Sequence, residues 1–201
     1  MTLALIDYGA GNLHSVANAL KAAGSSDILI TPDADAVAKA DRIVLPGVGA
    51  FAACAAALRA VPGMVEALEQ RVRGDGVPFL GICVGMQLMA ETGEEHGTHA
   101  GLSWLRGTVR HLTPDDASAK VPHMGWNDVV PSRDHPLIVP GEAYFLHSYA
   151  YEGADVIAGT NHAGPVTAAI GCDNMLGVQF HPEKSQRYGL DLLTRFLSWM
   201  P

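Results

Sequence analysis

Apolar residues fall in two different rhythms along this chain. In the first half, short apolar runs alternate with stretches of helical spacing. Thr2 to Ile6 reads as a buried strand, and Asp7-Tyr8-Gly9-Ala10-Gly11-Asn12 as a glycine-rich turn. Leu13, Val16, Ala17 and Leu20 then line one helical face, with Gly24 placed to end it. Ile28 to Ile30 predicts a second strand, Asp33 to Val37 a brief helix, and Arg42 to Leu45 a third strand ending at Pro46-Gly47-Val48-Gly49. Ala50 to Ala60 and Met64 to Arg73 read as helix, Val77 to Ile82 as a buried strand, and Val84 to Glu91 as helix. Strands and helices alternating in this way predict a mostly parallel sheet covered by helices on both faces. After about Gly101 strand follows strand: Thr108 to Leu112, Asn127 to Val130, Ala143 to Tyr151, Asp155 to Gly159, Val166 to Ile170 and Met175 to Phe180. That β-rich half predicts antiparallel pairs. Leu193, Phe196, Leu197 and Met200 then mark a helix closing over the sheet.

Nothing in the pattern repeats, and no linker divides it, so residues 1–201 are expected to form one domain. A formal net charge of −8 argues against a nucleic-acid partner, which needs clustered Lys and Arg. The cysteines Cys54, Cys83 and Cys172 are sparse and widely spaced, which suits a reducing compartment better than a disulfide framework. The apolar run at the N-terminus is too short for a signal peptide or a membrane span, so a cytoplasmic location is expected. Gly9-x-Gly11 lacks the third glycine and the acidic residue of a dinucleotide-binding turn. No metal site and no cofactor is expected: His96 and His99 have neither a cysteine nor a clear helix beside them.

The candidate chemistry begins at Gly81-Ile82-Cys83-Val84-Gly85. A nucleophile between two glycines at a strand-to-helix turn has the form of a nucleophile elbow, with Cys in place of Ser. A lone buried Cys is more often a small core residue, so the reading depends on finding a base. Leu176 to Phe180 runs into His181-Pro182-Glu183. Residues two apart on extended backbone face the same way, so Glu183 is placed to hold one imidazole nitrogen of His181 and leave the other free. Cys83 and His181 both follow strands, and sites in parallel α/β sheets form at such strand ends. Acyl transfer also needs donors for a developing oxyanion. Val84 N–H is one candidate and Val48 N–H the second, since glycines flank the Gly47–Val48 peptide and make it easy to reorient.

With those residues in place, the chain resembles the class I glutamine amidotransferases and, among them, the glutaminase subunits of imidazole glycerol phosphate synthases. Besides the Cys and His-x-Glu motifs, the segments carrying the likeness are Asp7 to Leu13, Pro46 to Gly49, His123-Met124-Gly125-Trp126-Asn127 and Phe145-Leu146-His147-Ser148-Tyr149. The resemblance implies a flavodoxin-like fold and a Cys83–His181–Glu183 triad that hydrolyses glutamine. It also implies glutamine binding by Gly49, Gln87, Ser148 and Tyr149. A (β/α)₈-barrel cyclase subunit would accept the ammonia, docking against Asn12, Met124, Trp126 and Lys184. Competing expectations are an amidotransferase serving another synthase, such as the one making pyridoxal phosphate, a non-catalytic assembly subunit on the same fold, and a thiol hydrolase that works without a partner.

Overall fold

The computed structural model describes residues 1–116 and 119–201. The first half consists of β1 (Leu3–Ile6), α1 (Leu13–Ala22), β2 (Ile28–Thr31), α2 (Ala34–Val37), β3 (Arg42–Gly47), α3 (Phe51–Ala60), α4 (Met64–Leu68) with a π-helical continuation Glu69–Gly74, β4 (Phe79–Cys83) and α5 (Val84–Gln87). There follow β5 (Ala90–Gly93), β6 (His99–Ala100), β7 (Leu105–His111), β8 (His123–Pro131), β9 (Gly141–His147), β10 (Tyr149–Gly153), β11 (Val156–Asn161), β12 (Pro165–Cys172), β13 (Met175–Val178), the 3-10 turn Pro182–Lys184 and α6 (Gln186–Ser198).

Nine strands form the main sheet in the order β2-β1-β3-β4-β13-β12-β11-β8-β9. From β2 to β13 the pairings are parallel; from β13 to β9 they are antiparallel. A smaller sheet runs β10-β7-β5-β6. The chain steps one way from β1 to β2 and the other way through β3 to β4. Right-handed crossovers therefore place α1 on one face and α2, α3 and α4 on the other. The helix contacts agree: α1 packs with α6, while α4 packs with α2 and α3. The inner parallel strands β1, β3 and β4 are buried between these layers, as Leu3 to Ile6, Ile43 to Leu45 and Phe79 to Leu80 illustrate, while Leu29 and Ile30 on the edge strand β2 are exposed. The helical faces read from sequence are the buried ones, Val16, Ala17 and Leu20 on α1 and Leu193 and Phe196 on α6. Met200 lies beyond α6 and is exposed.

Several boundaries differ from the sequence pattern: β7 begins at Leu105 instead of Thr108, β8 begins at His123 instead of Asn127, and β5 and β6 are short strands that the pattern does not predict. The helix after Cys83 ends at Gln87 rather than Glu91. The carbonyls of Leu88, Met89 and Ala90 accept from the N–H groups of Leu102, Leu105 and Ser103, so the chain enters the second sheet instead of completing another helical turn. The expected strand Ala143 to Tyr151 is two strands in different sheets, divided at Ser148, whose carbonyl accepts from Leu112 N–H. The last strand stops at Val178, and Gln179 and Phe180 form a bend.

At the elbow, β4 and α5 pack directly on β3. A Cβ at Gly85 would overlap the carbonyl oxygen of Leu45, and a Cβ at Gly81 would lie 2.7 Å from the carbonyl oxygen of Gly85. Both obstacles are backbone, which cannot swing aside as a side chain can. Gly85→Ala is therefore expected to lower unfolding free energy by at least about 2 kcal/mol, read as a lower urea midpoint at unchanged slope.

Candidate active site

Cys83 closes β4 and caps α5 at φ 54° and ψ −113°, a conformation that L-residues adopt only where surroundings enforce it. The enforcement comes from the glycine contacts just described and from the register of β3 with β4, which sets Gly47 beside Cys83. Val84 is the first residue of α5, so its N–H has no intrahelical acceptor. The neighbouring Pro46–Gly49 loop is held from both sides. Tyr8 donates its hydroxyl proton to the Pro46 carbonyl at 2.8 Å, and the Cys54 thiol donates to the Val48 carbonyl at 3.4 Å. Cys54 is otherwise the core residue its setting suggested. Burial pushes its thiol pKa up, and burial together with Asp173 does the same to Cys172.

His181 Nδ1 lies 2.9 Å from Glu183 Oε1, and the two side chains are 4% and 1% exposed. The expected pairing is present, but its geometric cause is different. His181 is extended, whereas Pro182–Lys184 is a 3-10 turn that brings the carboxylate back to the ring. Ser185 fixes this turn by donating to the His181 carbonyl and accepting from Tyr144 N–H. Burial alone would depress the imidazole. The Cys83 sulfur and the Glu183 carboxylate outweigh it and raise the pKa to about 9.

Both halves of the site face a cavity of about 350 Å³ bordered by Cys83, Val84, His181, Val48 and Gly49 on one side. Gln87, Glu95, His147, Ser148, Tyr149, Leu146, Pro122 and Lys184 complete it. That volume suits a small ligand. A second cleft of about 350 Å³ lies between β7, β10 and the β11–β12 turn. Its Arg110 is already paired with Glu94 and Glu152, and the triad is not among its lining residues.

Gln87 is buried, and its amide donates to the Tyr149 carbonyl and to Gln179 Oε1, both at 3.0 Å, leaving its own Oε1 uncommitted to these bonds. Gln179 in turn reaches the Cys83 sulfur at 3.8 Å. Gln179, Glu95 and His147 were missed as site residues in the sequence. The only signal was proximity to motifs, Gln179 standing two residues before His181 and His147 just before Ser148.

The four residues expected at an interface lie in two places. Asn12 precedes α1 at the carboxyl edge of the parallel strands. Met124 and Trp126 sit on β8, 66% and 47% exposed, and register opposite Leu146 and Tyr144 on β9. Lys184 extends over the Tyr144 ring at 5.8 Å and also borders the cavity. An exposed apolar patch thus adjoins the mouth of the site.

A buried cysteine at an elbow and a histidine oriented by a glutamate, facing one cavity on this mixed sheet, have the parts of a thiol-nucleophile site. The chain belongs to the class I glutamine amidotransferase family, whose model matches residues 4–198, and within it to the HisH subunits of imidazole glycerol phosphate synthase. Its similarity to the HisH protein of Zymomonas mobilis is 61% identity, covering all of this chain and 97% of the relative. It is 52% identical to that of Brucella suis and 50% identical to that of Rhodopseudomonas palustris, each covered completely. Among solved structures, one described as a glutamine amidotransferase superposes with a TM-score of 0.76 at 16% identity over 98% of both chains. PurLQS from Thermotoga maritima superposes with a TM-score of 0.68 at 17% identity, over 98% of this chain and 97% of that one. At such identities these two likenesses concern the fold.

Proposed function

We propose that this chain hydrolyses glutamine at Cys83 and passes the ammonia to a separate (β/α)₈-barrel cyclase subunit, which forms imidazole glycerol phosphate and an aminoimidazole carboxamide ribotide in histidine biosynthesis. The observation that carries the hydrolysis is the opening of Cys83 and of His181, itself paired with Glu183, into one cavity. Glutamine enters with its side-chain carboxamide towards the sulfur. With the Cys83 proton carried on His181, the sulfur attacks the amide carbon, and the developing oxyanion is met by Val84 N–H and Val48 N–H. Such donors are worth ~2.7–4 kcal/mol each. The imidazolium gives its proton to the departing nitrogen, leaving a thioester on Cys83 and ammonia. His181 then deprotonates water, which attacks the thioester and releases glutamate. At the far end of the ligand, Glu95 is the one carboxylate bordering the cavity among the described residues, which suits the α-ammonium group. Its Oε2 accepts from Phe51 N–H at 2.6 Å, so the carboxylate is held in place. Gly49, Gln87 and the backbone of Ser148 and Tyr149 hold the remainder.

Support for a docked acceptor comes from the Met124, Trp126 and Leu146 patch beside the cavity mouth, since exposed apolar patches mark interaction surfaces. Sealing the mouth keeps ammonia undiluted and unprotonated. The test is glutamate release by the chain alone, with a cyclase subunit, and with cyclase plus its ribonucleotide. Release is expected to be near zero alone and to rise strongly in the third condition. Equal rates in all three would overturn the partner assignment and leave the hydrolysis standing.

A further inference from the structure

Two buried histidines beside the cavity take no part in the chemistry above. His147 Nδ1 lies 2.9 Å from the Tyr149 carbonyl, and His147 Nε2 lies 3.1 Å from His123 Nδ1. Asn127 Nδ2 lies 3.0 Å from His123 Nε2 and 2.8 Å from the Asn161 carbonyl. The hydrogens in this chain can be assigned by elimination. A carbonyl only accepts, so His147 must carry its proton on Nδ1, and its Nε2 accepts from His123 Nδ1. His123 Nε2 then accepts from Asn127. The Asn127 amide is oriented to do this because its Oδ1 accepts from Asp128 N–H at 2.9 Å. Every ring nitrogen is committed, so neither histidine has a site left to exchange protons with the cavity. Burial lowers both, His147 to about 3 and His123 to about 4, so the rings stay neutral and the assignment holds across the physiological range. His123 is also clamped between the rings of Phe145 and His162, with centroids at 4.8 and 4.2 Å.

We propose that Asn127, His123 and His147 form a positioning relay that fixes the Tyr149 carbonyl and, through it, the Gln87 side chain that walls the glutamine cavity. The Tyr149 carbonyl receives one hydrogen from His147 and one from Gln87. With His147 donating from one side, Gln87 is confined to one rotamer, its second hydrogen goes to Gln179, and Gln87 Oε1 is presented in a single direction. The relay is a matter of donor placement and not of volume, and that makes it separable from packing. His147→Asn keeps an N–H near the Nδ1 position in a smaller side chain. His147→Phe keeps the ring and loses the donor.

This inference rests on the cavity being the glutamine site, and the experiment separates the two. Cys83 is alkylated with iodoacetamide in the full chain at increasing glutamine concentration, and the half-protecting concentration is read for each variant against its own unprotected rate. Saturable protection of the unmodified chain tests the site itself. His147→Phe is expected to raise the half-protecting concentration about tenfold, and His147→Asn to return it to within about threefold of the starting value. Asn127→Ala, at the half-buried far end, should raise it about threefold and covers the case in which the phenylalanine variant does not fold. Protection in His147→Phe equal to that of the unmodified chain overturns the relay. So does a ranking in which Phe outperforms Asn, which is what packing alone would give, or an unchanged value in Asn127→Ala.

Discussion

Replacing Cys83 with alanine is expected to reduce glutamate release at least ~10⁴-fold, with or without an acceptor subunit, while the fold survives. The loss is large because, among the described residues, no other sulfur nucleophile borders the cavity: Cys54 is buried and bonded to the Val48 carbonyl, and Cys172 sits at the end of β12. Stability should change little. Alanine meets the same positive φ as cysteine, so the backbone strain is neither relieved nor increased, and the lost sulfur faces a cavity instead of a packed core. An expected shift of under about 1 kcal/mol in unfolding free energy, measured by urea denaturation, separates loss of chemistry from loss of structure. Residual release above about one part in a hundred would assign the attack to another group.

Glu183→Gln should lower kcat/KM by about 10²–10⁴-fold and also move its pH dependence. Glutamine can still accept from His181 Nδ1, so geometry is largely retained and the lost quantity is charge. The carboxylate is one of the two groups that raise the imidazole to about 9 against the opposing effect of burial. Its removal lets burial gain ground, and the pKa falls. Catalysis needs the imidazolium to protonate departing ammonia, so activity in the unmodified chain is lost as pH rises through about 9. In the variant the alkaline limb must lie at lower pH. A limb displaced upwards, or a fall in rate with the limb unmoved, would remove Glu183 as the electrostatic partner of the ring. Because Glu183 Oε2 is buried without a partner among the described residues, His181 is the principal compensation for its charge.

The parallel half was legible because each strand there is a short apolar run followed by a helical stretch, both local properties of the sequence. The elbow at Cys83 was legible for a similar reason, since its flanking glycines constrain backbone over a few residues; the His181–Glu183 pairing was read from extended backbone, whereas a 3-10 turn makes it. What escaped depends on contacts between distant segments. Val84 to Glu91 has the composition of a helix throughout, yet carbonyls at Leu88 to Ala90 find better partners in the segment around Leu102 to Leu105. Ala143 to Tyr151 is one apolar alternation in sequence, and only the pairing of β9 with β8 and of β10 with β7 divides it. Gln179, Glu95 and His147 are ordinary residues until Gln87, Phe51 and His123 are brought to them. Hydrogen-bond partners that far apart leave no periodic trace.

The order of strands has a consequence for synthesis of the chain. β13 is the final strand in sequence, yet it lies in the middle of the nine-stranded sheet, between β4 and β12. The nucleophile leaves the ribosome about a hundred residues before its base, and the central strand must be inserted last between neighbours already made. A nascent or truncated chain ending before Met175 has the thiol without the imidazole, at an elbow with an open flank where β13 should pair. Such a chain cannot consume glutamine. Synthesis of β13 with the base that follows it and assembly of the chemistry become one event, and copies that stop short of His181 are silent by construction.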